Sequence, residues 1–333
     1  MLMDMHQMIM ASVKQKINEI RKEDSLVMPI FTDWHVTSCE DSAVKNLLEA
    51  LFCLKEINPN GVIDLGDNLA MLGRNEHIAN KEISSLLTDL FQKAFQTCES
   101  PIYFANGNHD GIGTDFFKAD FWNEIVKNRY GNEAAQYGEE GSYYYVDFDE
   151  SNTRLVFLSV PCDSDIEAKM PHPCWKFGEK QIRWLAEKAL DTDKNVILIS
   201  HVPFYYYYVG DAEKTLEVWN GNCTAKAYVK DLCGWIDDIE DVISILNAFQ
   251  HQNGKLIAVL SGHTHVDSLW APGESKDEYT NSLPCYQVVT RSVKPYGEEG
   301  EFRVALDLMV WTPSEGTLDL IRFGDGEDRK ITI

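Results

Sequence analysis

The sequence predicts an α/β fold whose functional site lies at the carboxyl ends of its strands. Three short apolar runs are each followed by polar residues and then by a stretch of helical composition. The runs span residues 26–31, 61–65 and 101–105. Strands that alternate with helices form largely parallel sheets, which bind ligands at the carboxyl ends of their strands.

The remaining elements follow from similar patterns. Helical composition in the first third of the chain predicts helices over 5–22, 41–56 and 75–97. Two strand-like runs flank Asp149-Glu-Ser-Asn152 and predict a β-hairpin over 142–148 and 153–160. Further helices are predicted over 178–190 and 237–250, and further strands over 196–199 and 256–260. The tail alternates as strands do at 286–289, 304–308 and 318–321.

This order of elements predicts one domain with a β-rich C-terminal portion. A chain of 333 residues, 44% of them hydrophobic, is long enough to bury a large core. We expect a helical lead-in over 1–24, the main domain over 25–275, and a C-terminal portion over 276–333 that belongs to the same domain. No internal repeat or low-complexity tract interrupts the sequence.

The charge balance restricts the partners of the protein. The chain has 53 acidic and 30 basic residues, so its net charge is -23. A surface this acidic repels phosphate backbones, which argues against extended nucleic acid as a partner. A small anionic substrate could still bind through a local basic pocket or through bound cations.

The cysteines and the N-terminus indicate an intracellular protein. The eight cysteines include no Cys-x-x-Cys pair, so we expect reduced thiols rather than a disulfide framework. The methionine-rich N-terminus is interrupted by Asp4 and His6 and lacks a basic leader. We therefore expect no signal peptide, no membrane span and a cytoplasmic location.

Five short motifs carry the chemistry. In chain order they are Asp33-x-His35, Gly66-Asp67, Gly107-Asn108-His109-Asp110, His201 and Gly262-His263-x-His265. Each follows an apolar run that can be a strand, and five of the nine histidines lie within them. Their carboxylate, amide and imidazole groups are suited to two adjacent divalent cations, on which a phosphate ester could be hydrolysed.

Each of these residues also has a structural interpretation. A histidine can be a hydrogen-bonded core residue, and Asn108 can belong to a turn. Asp67 can cap or form a Gly-Asp turn. Asp110-Gly111 is a turn dipeptide in its own right, so its functional role has the weakest support. The joint occurrence of the five motifs favours the functional interpretation.

The ordered motifs resemble those of the calcineurin-like metallophosphoesterases, from Phe31 to His265. The resemblance implies a four-layer α-β-β-α sandwich of two mixed sheets flanked by helices. It implies that Asp33, His35 and His265 hold one metal. It further implies that Asn108, His201 and His263 hold the other, and that Asp67 bridges the two. The ligands suit Mn²⁺, Fe or Zn²⁺, and a metal-bound water would be the nucleophile.

The resemblance also implies roles for two residues beyond the ligands. His109 would protonate or stabilise the leaving oxygen, and Asp110 would orient its imidazole. The chain lacks the Asp-Arg-Gly that protein Ser/Thr phosphatases carry after the Gly-Asp motif. It also has Ala70 where purple acid phosphatases have a tyrosine ligand. Both of these subfamilies are therefore disfavoured.

These observations predict a metal-dependent phosphoesterase that acts on a small phosphorylated substrate, with phosphodiesters favoured. The alternatives are a nuclease of the same superfamily and a non-catalytic metal-binding scaffold. An aromatic stretch over 204–235 either stacks an aryl group of the substrate or packs on the domain. The C-terminal run Leu320-Ile-Arg-Phe-Gly-Asp-Gly-Glu-Asp-Arg329 resembles one found in bacterial members of unassigned substrate, and the sequence gives it no chemical role.

Overall fold

The computed structural model describes most elements of the chain. The described residues are 2–35, 42–68, 100–107, 134–139, 142–159, 174–204, 235–236, 238–252, 254–265, 267–272, 283–292 and 304–333. The predicted helix over 75–97 and the aromatic residues 205–234 lie outside these ranges. Within them, no helix is long and apolar enough to cross a membrane.

The described helices and strands are numbered in chain order. The helices are α1 (Leu2–Ile20), α2 (Ser42–Leu54), α3 (Glu179–Trp184) and α4 (Ile239–His251). The first nine strands are β1 (Leu26–Phe31), β2 (Val62–Asp64), β3 (Ile102–Phe104), β4 (Gln136–Tyr137), β5 (Tyr144–Phe148), β6 (Thr153–Leu158), β7 (Cys174–Trp175), β8 (Asn195–Ser200) and β9 (Trp235–Ile236). The others are β10 (Lys255–Ser261), β11 (Ser268–Trp270), β12 (Tyr286–Val289), β13 (Ala305–Thr312), β14 (Thr317–Gly324) and β15 (Arg329–Thr332).

Two mixed sheets form the centre of the fold. The first has the order β15-β14-β13-β1-β2-β3, in which β1, β2 and β3 are parallel and the C-terminal strands are antiparallel. The second has the order β11-β12-β10-β8-β6-β5-β4, with four parallel strands at its centre. The predicted hairpin is confirmed, because β5 and β6 pair antiparallel. Strands β7 and β9 form a separate parallel pair.

Alternation along the strands divides the interior into three apolar layers. In β1, Met28 and Ile30 face the second sheet, whereas Val27 and Phe31 face α1 and α2. In β8, the residues Ile197 and Ile199 face the first sheet. The other face of the second sheet packs against α4 through the helix-spaced residues Val242, Leu246 and Phe249. The structure therefore confirms the predicted sandwich of two sheets between helices.

Local differences from the predicted elements are small. The helix predicted over 178–190 is α3 followed by a π-helical turn, Leu185–Ala189. Strand β15 was not predicted, because only Ile331 of its four residues is buried and the pattern carries little apolar signal. Strand β13 lies directly beside β1, so the C-terminal strands complete the sheet that the first strand begins.

Candidate metal centre

Six of the predicted ligand residues lie together where strands of the two sheets end. Asp33 and His35 follow β1, Asp67 follows β2, His201 follows β8, and His263 and His265 follow β10. Their donor atoms form two groups, and within each group all of these atoms lie within 4.8 Å of one another. One group is Asp33, His35 and His265, and the other is Asp67, His201 and His263. Asn108, His109 and Asp110 lie outside the described residues.

The two groups are in direct contact. In the first, the Nε2 atoms of His35 and His265 are 2.9 Å apart, and His265 Nε2 is 3.2 Å from Asp33 Oδ1. In the second, His201 Nε2 is 3.2 Å from Asp67 Oδ2. Between the groups, Asp67 Oδ2 is 4.0 Å from His35 Nε2, and Asp33 Oδ1 is 3.9 Å from His201 Nε2. The six side chains therefore form one continuous cluster with a carboxylate near each centre.

The candidate ligand residues have an unusual backbone conformation. Of the seven described non-glycine residues with positive φ, five belong to this set: Asp33 (56°), His35 (47°), Asp67 (58°), His263 (70°) and His265 (60°). Left-handed backbone is uncommon for residues with a side chain and clusters at functional sites. The left-handed residues lie in the loops that follow β1, β2 and β10, so the candidate ligands are carried by turns and not by the strands themselves.

Backbone hydrogen bonds between the loops maintain these conformations. The Asp33 N–H donates to Gly66 O at 2.9 Å, and the His35 N–H donates to Asp67 O at 3.1 Å. In the second sheet, the Gly262 N–H donates to His201 O at 3.0 Å. The loops after β1 and β2 are thus joined to each other, as are those after β8 and β10.

The Asp33 carboxylate has one satisfied and one unsatisfied oxygen. Its Oδ2 accepts hydrogen bonds from Thr32 Oγ1 at 2.7 Å and from the His263 N–H at 2.9 Å. Its Oδ1 is buried and accepts no hydrogen bond from the described residues, and it faces imidazole nitrogens instead. A buried carboxylate oxygen in this position needs a positive charge close to it. The donor set therefore fits a divalent cation.

The imidazole of His201 also fits a bound cation. Its Nδ1 is 2.8 Å from the carbonyl oxygen of Leu65, which can only accept, so Nδ1 carries the proton. In the neutral ring the lone pair of Nε2 then points toward Asp67 Oδ2. Two acceptors at this distance repel each other unless a proton or a metal ion lies at Nε2. A carbonyl that orients a ligating imidazole in this way is a common feature of metal sites.

The charged neighbours within the cluster shift the pKa values of Asp33 and His35. Burial raises the pKa of Asp33, but the imidazoles of His265, His35 and His201 outweigh it and hold that pKa well below its ordinary value. Burial lowers the pKa of His35, but the carboxylates of Asp33, 3.6 Å from Nε2, and of Asp67 raise it overall. Without metal, these shifts favour an ionised Asp33 and a protonated His35.

Several supporting residues were not predicted from the sequence. Ser292 Oγ donates to the Asp33 carbonyl at 2.7 Å, and Thr32 contacts the Asp33 carboxylate as described above. Buried Asp64 accepts from the Gly66 N–H and from Asn68 Nδ2, each at 2.9 Å, and so shapes the turn before Asp67. A carboxylate inside the apolar run 61–65 was a signal that could have identified Asp64. Ser292 is 259 positions from its partner, and no local pattern indicates it.

Comparison with known proteins identifies a matching family and two similar folds. A family model of calcineurin-like phosphoesterases matches residues 30–267. The fold is similar to a dimetal phosphatase from Danio rerio, with TM-score 0.63 and 14% identity over 92% of this chain and 98% of that one. It is also similar to PhoD, with TM-score 0.53 and 11% identity over 92% and 68% of the two chains.

At such low identities the two structures support the fold alone. A search of curated proteins returned no match to this chain. The family model, however, covers more than half of the sequence and includes all five of the short motifs. The chain therefore belongs to the calcineurin-like phosphoesterase family.

Proposed function

We propose that the protein is a dinuclear metallophosphoesterase that hydrolyses a small phosphate ester, with phosphodiesters favoured. The observation that carries the proposal is the pair of adjacent buried groups, each made of one carboxylate and two imidazoles. Cations bound there would lower the pKa of a coordinated water and offset charge on the phosphoryl oxygens. This inventory matches the chemistry of the family.

We assign one metal to Asp33, His35 and His265 and the other to His201, His263 and Asn108, with Asp67 between them. The short distance from Asp67 Oδ2 to His201 and its longer distance to His35 support the bridging role, because that oxygen faces both groups. Carboxylate, amide and imidazole donors suit Mn²⁺, Fe or Zn²⁺.

The protein's own groups would act in three ways. Asp33 is held by Thr32 and by the His263 N–H, so its unsatisfied oxygen stays directed at the centre. The Leu65 carbonyl keeps the proton of His201 on Nδ1 and leaves Nε2 for the metal. His109 would protonate or stabilise the leaving oxygen, and Asp110 would hold the His109 ring in the orientation that this needs.

The preference for diesters is supported by charge. A diester carries one negative charge at neutral pH, whereas a monoester with a second pKa near 6 carries about 1.5–2. The protein has a net charge of -23, so its field opposes the monoester more strongly. The same field argues against extended nucleic acid and hence against the nuclease alternative.

The test is hydrolysis of bis-p-nitrophenyl phosphate beside p-nitrophenyl phosphate, on protein stripped with chelator and refilled with Mn²⁺. We expect metal-dependent cleavage with the diester preferred. Faster cleavage of the monoester would refute the diester preference and leave the phosphoesterase assignment intact. If two metals are shown to be bound and neither ester is cleaved by refilled protein, even among a panel of nucleotide and lipid-headgroup esters, the scaffold alternative replaces our proposal.

A further inference from the structure

A buried network of arginines and aspartates joins the C-terminal hairpin to the loop that carries His263 and His265. Arg322 of β14, with 2% of its side chain exposed, donates from Nη2 to Asp267 Oδ1 at 2.5 Å. The same nitrogen is 3.2 Å from Oδ1 of Asp307, which is fully buried in β13. Arg322 and Asp307 belong to the first sheet, whereas Asp267 lies between His265 and β11 of the second sheet. These ion pairs therefore connect the first sheet to the second sheet close to the candidate metal centre.

Arg329 makes a second connection between the two sheets. Its guanidinium pairs with Asp307, and its Nη1 donates to the carbonyls of Val289 at 2.7 Å and Ser268 at 3.2 Å. These two residues are directly opposite each other in the β11–β12 pair. Arg329 thus joins the ends of two strands of the second sheet to a carboxylate of the first.

The segment after β12 is held by the same groups. Thr290 Oγ1 donates to Asp307 Oδ2 at 2.8 Å, and the Arg291 N–H donates to Asp267 Oδ1 at 3.1 Å. The next residue, Ser292, donates to the carbonyl of Asp33. Hydrogen bonds and neighbouring positions in the chain thus connect Arg322 to Asp33, through Asp267, Arg291 and Ser292. Asp267 is also two positions from His265, a member of the same ligand group as Asp33.

The remaining residues of the run 320–329 build the turn that makes this possible. Asp325 pairs with Arg291 at 3.0 Å, and Asp328 accepts from the Arg322 N–H at 2.9 Å. Gly326 has φ of 118°, and a Cβ there would be 3.0 Å from Arg322 Nε. Glycine therefore provides both the left-handed backbone and the close approach to the guanidinium.

We propose that Arg322 is a positioning residue for the metal centre, which acts through Asp267 on the loop that carries His265. The inference rests on the proposed dinuclear function and assigns a role to the C-terminal run. Loss of Arg322 would also destabilise the fold, because it leaves buried carboxylates without their partner. The positioning role is distinguished from this effect by metal affinity, which a purely stabilising contact would not change. Outer contacts of this kind affect metal affinity by about 10–100-fold when they are removed.

The experiment compares Mn²⁺ binding to metal-free wild-type protein, Arg322→Gln and Lys330→Gln by calorimetry, with EPR of the loaded proteins. Lys330 is a matched control, because it pairs with Asp319 in the same hairpin at 3.3 Å but is half-exposed and contacts neither Asp267 nor Asp307 in the described structure. We expect wild type and Lys330→Gln to bind two ions with the spectrum of a coupled pair. In Arg322→Gln, we expect one site to lose about 10–100-fold in affinity and an isolated-ion spectrum at limiting Mn²⁺.

The outcomes separate the two proposals. A wild-type protein that binds no Mn²⁺, Fe or Zn²⁺ would refute the dinuclear function itself. Two unchanged affinities in Arg322→Gln, with only a lower unfolding midpoint of the metal-free protein, would overturn the positioning role. If Arg322→Gln does not fold, Asp267→Asn removes the charge that Arg322 binds while keeping the side-chain shape. Wild-type affinity at both sites of that variant would equally overturn the inference.

Discussion

The glycine that precedes His263 gives the sharpest test of how closely the two sheets approach at the site. A Cβ at Gly262 would lie 2.0 Å from Thr32 Oγ1 and 2.8 Å from Asp33 Oδ2. Gly262→Ala must therefore displace either the loop or the Thr32 hydroxyl that donates to Asp33. Overpacking of this kind destabilises by about 1–3 kcal/mol. Loss of the hydrogen bond to the carboxylate adds about 1.5–3 kcal/mol if the hydroxyl rotates away.

A double-mutant cycle isolates this contact. Thr32→Ala removes the hydroxyl, which is the closest obstacle to the new methyl group, so the double variant should be less destabilised than the two single variants together predict. The free energies of unfolding are measured by urea denaturation of metal-free protein, and Mn²⁺ affinity is measured in parallel. We expect weaker Mn²⁺ binding in Gly262→Ala, because His263 is the next residue.

Gly178→Ala is a contrasting variant, because it strains the backbone without a close contact, whereas Gly262 has a close contact and no positive φ. Gly178 has φ of 80°, and a Cβ there would meet no atom within 4 Å. It should cost about 1–3 kcal/mol, because φ of 80° with ψ of 155° is a conformation essentially confined to glycine, and it should leave Mn²⁺ affinity unchanged. The reasoning fails if Gly262→Ala unfolds like the wild type to within about 0.5 kcal/mol and binds Mn²⁺ normally, or if the cycle shows additive effects.

Three further predictions concern the metals and the proton donor. Asp67→Ala should lose both ions by elemental analysis, because its carboxylate faces both groups, and two retained ions would refute the bridging role. His109→Ala should lower turnover by roughly 10²–10⁴ with near-normal metal content, whereas unchanged turnover would remove its assigned role. Free Mn²⁺ at 100 times Kd should stabilise the protein by about 2.7 kcal/mol per site in urea unfolding relative to chelated protein. Identical curves would contradict specific binding.

The strands that end at the site could be predicted because their signal is local. Each candidate ligand motif directly follows a buried apolar run. The packing of such a strand does not require the polar residues that follow it, so these residues indicate a functional loop. The order of the strands within each sheet has no local signal in the sequence. The position of β13 beside β1 depends on pairing between residues nearly 300 positions apart, with Leu26 opposite Trp311. The prediction therefore identified the elements and left their arrangement to the family resemblance.

The supporting contacts of the site could not be predicted for a similar reason. Arg322 and Asp267 are 55 positions apart and lie in different sheets, so their contact depends on how the sheets are packed. The sequence shows two arginines and several aspartates near the C-terminus, a pattern that an exposed turn would also produce. The burial of Arg322 and Asp307 is what distinguishes an internal ion-pair network from an exposed turn.

The left-handed ligands explain why the site needs such extensive support. A residue with a side chain loses about 1–2 kcal/mol in this conformation, and five of the candidate ligand residues adopt it. Since a folded domain has a net stability of about 5–15 kcal/mol, strain of this size must be offset by contacts that are lost when the loops relax. Backbone hydrogen bonds from Asp33, His35 and Gly262 to neighbouring loops supply part of this stabilisation. Hydrogen bonds from the side chains of Thr32 and Ser292 supply more of it. These contacts hold the loops in place in the absence of metal, and cations bound there would add to an arrangement that the two sheets already maintain.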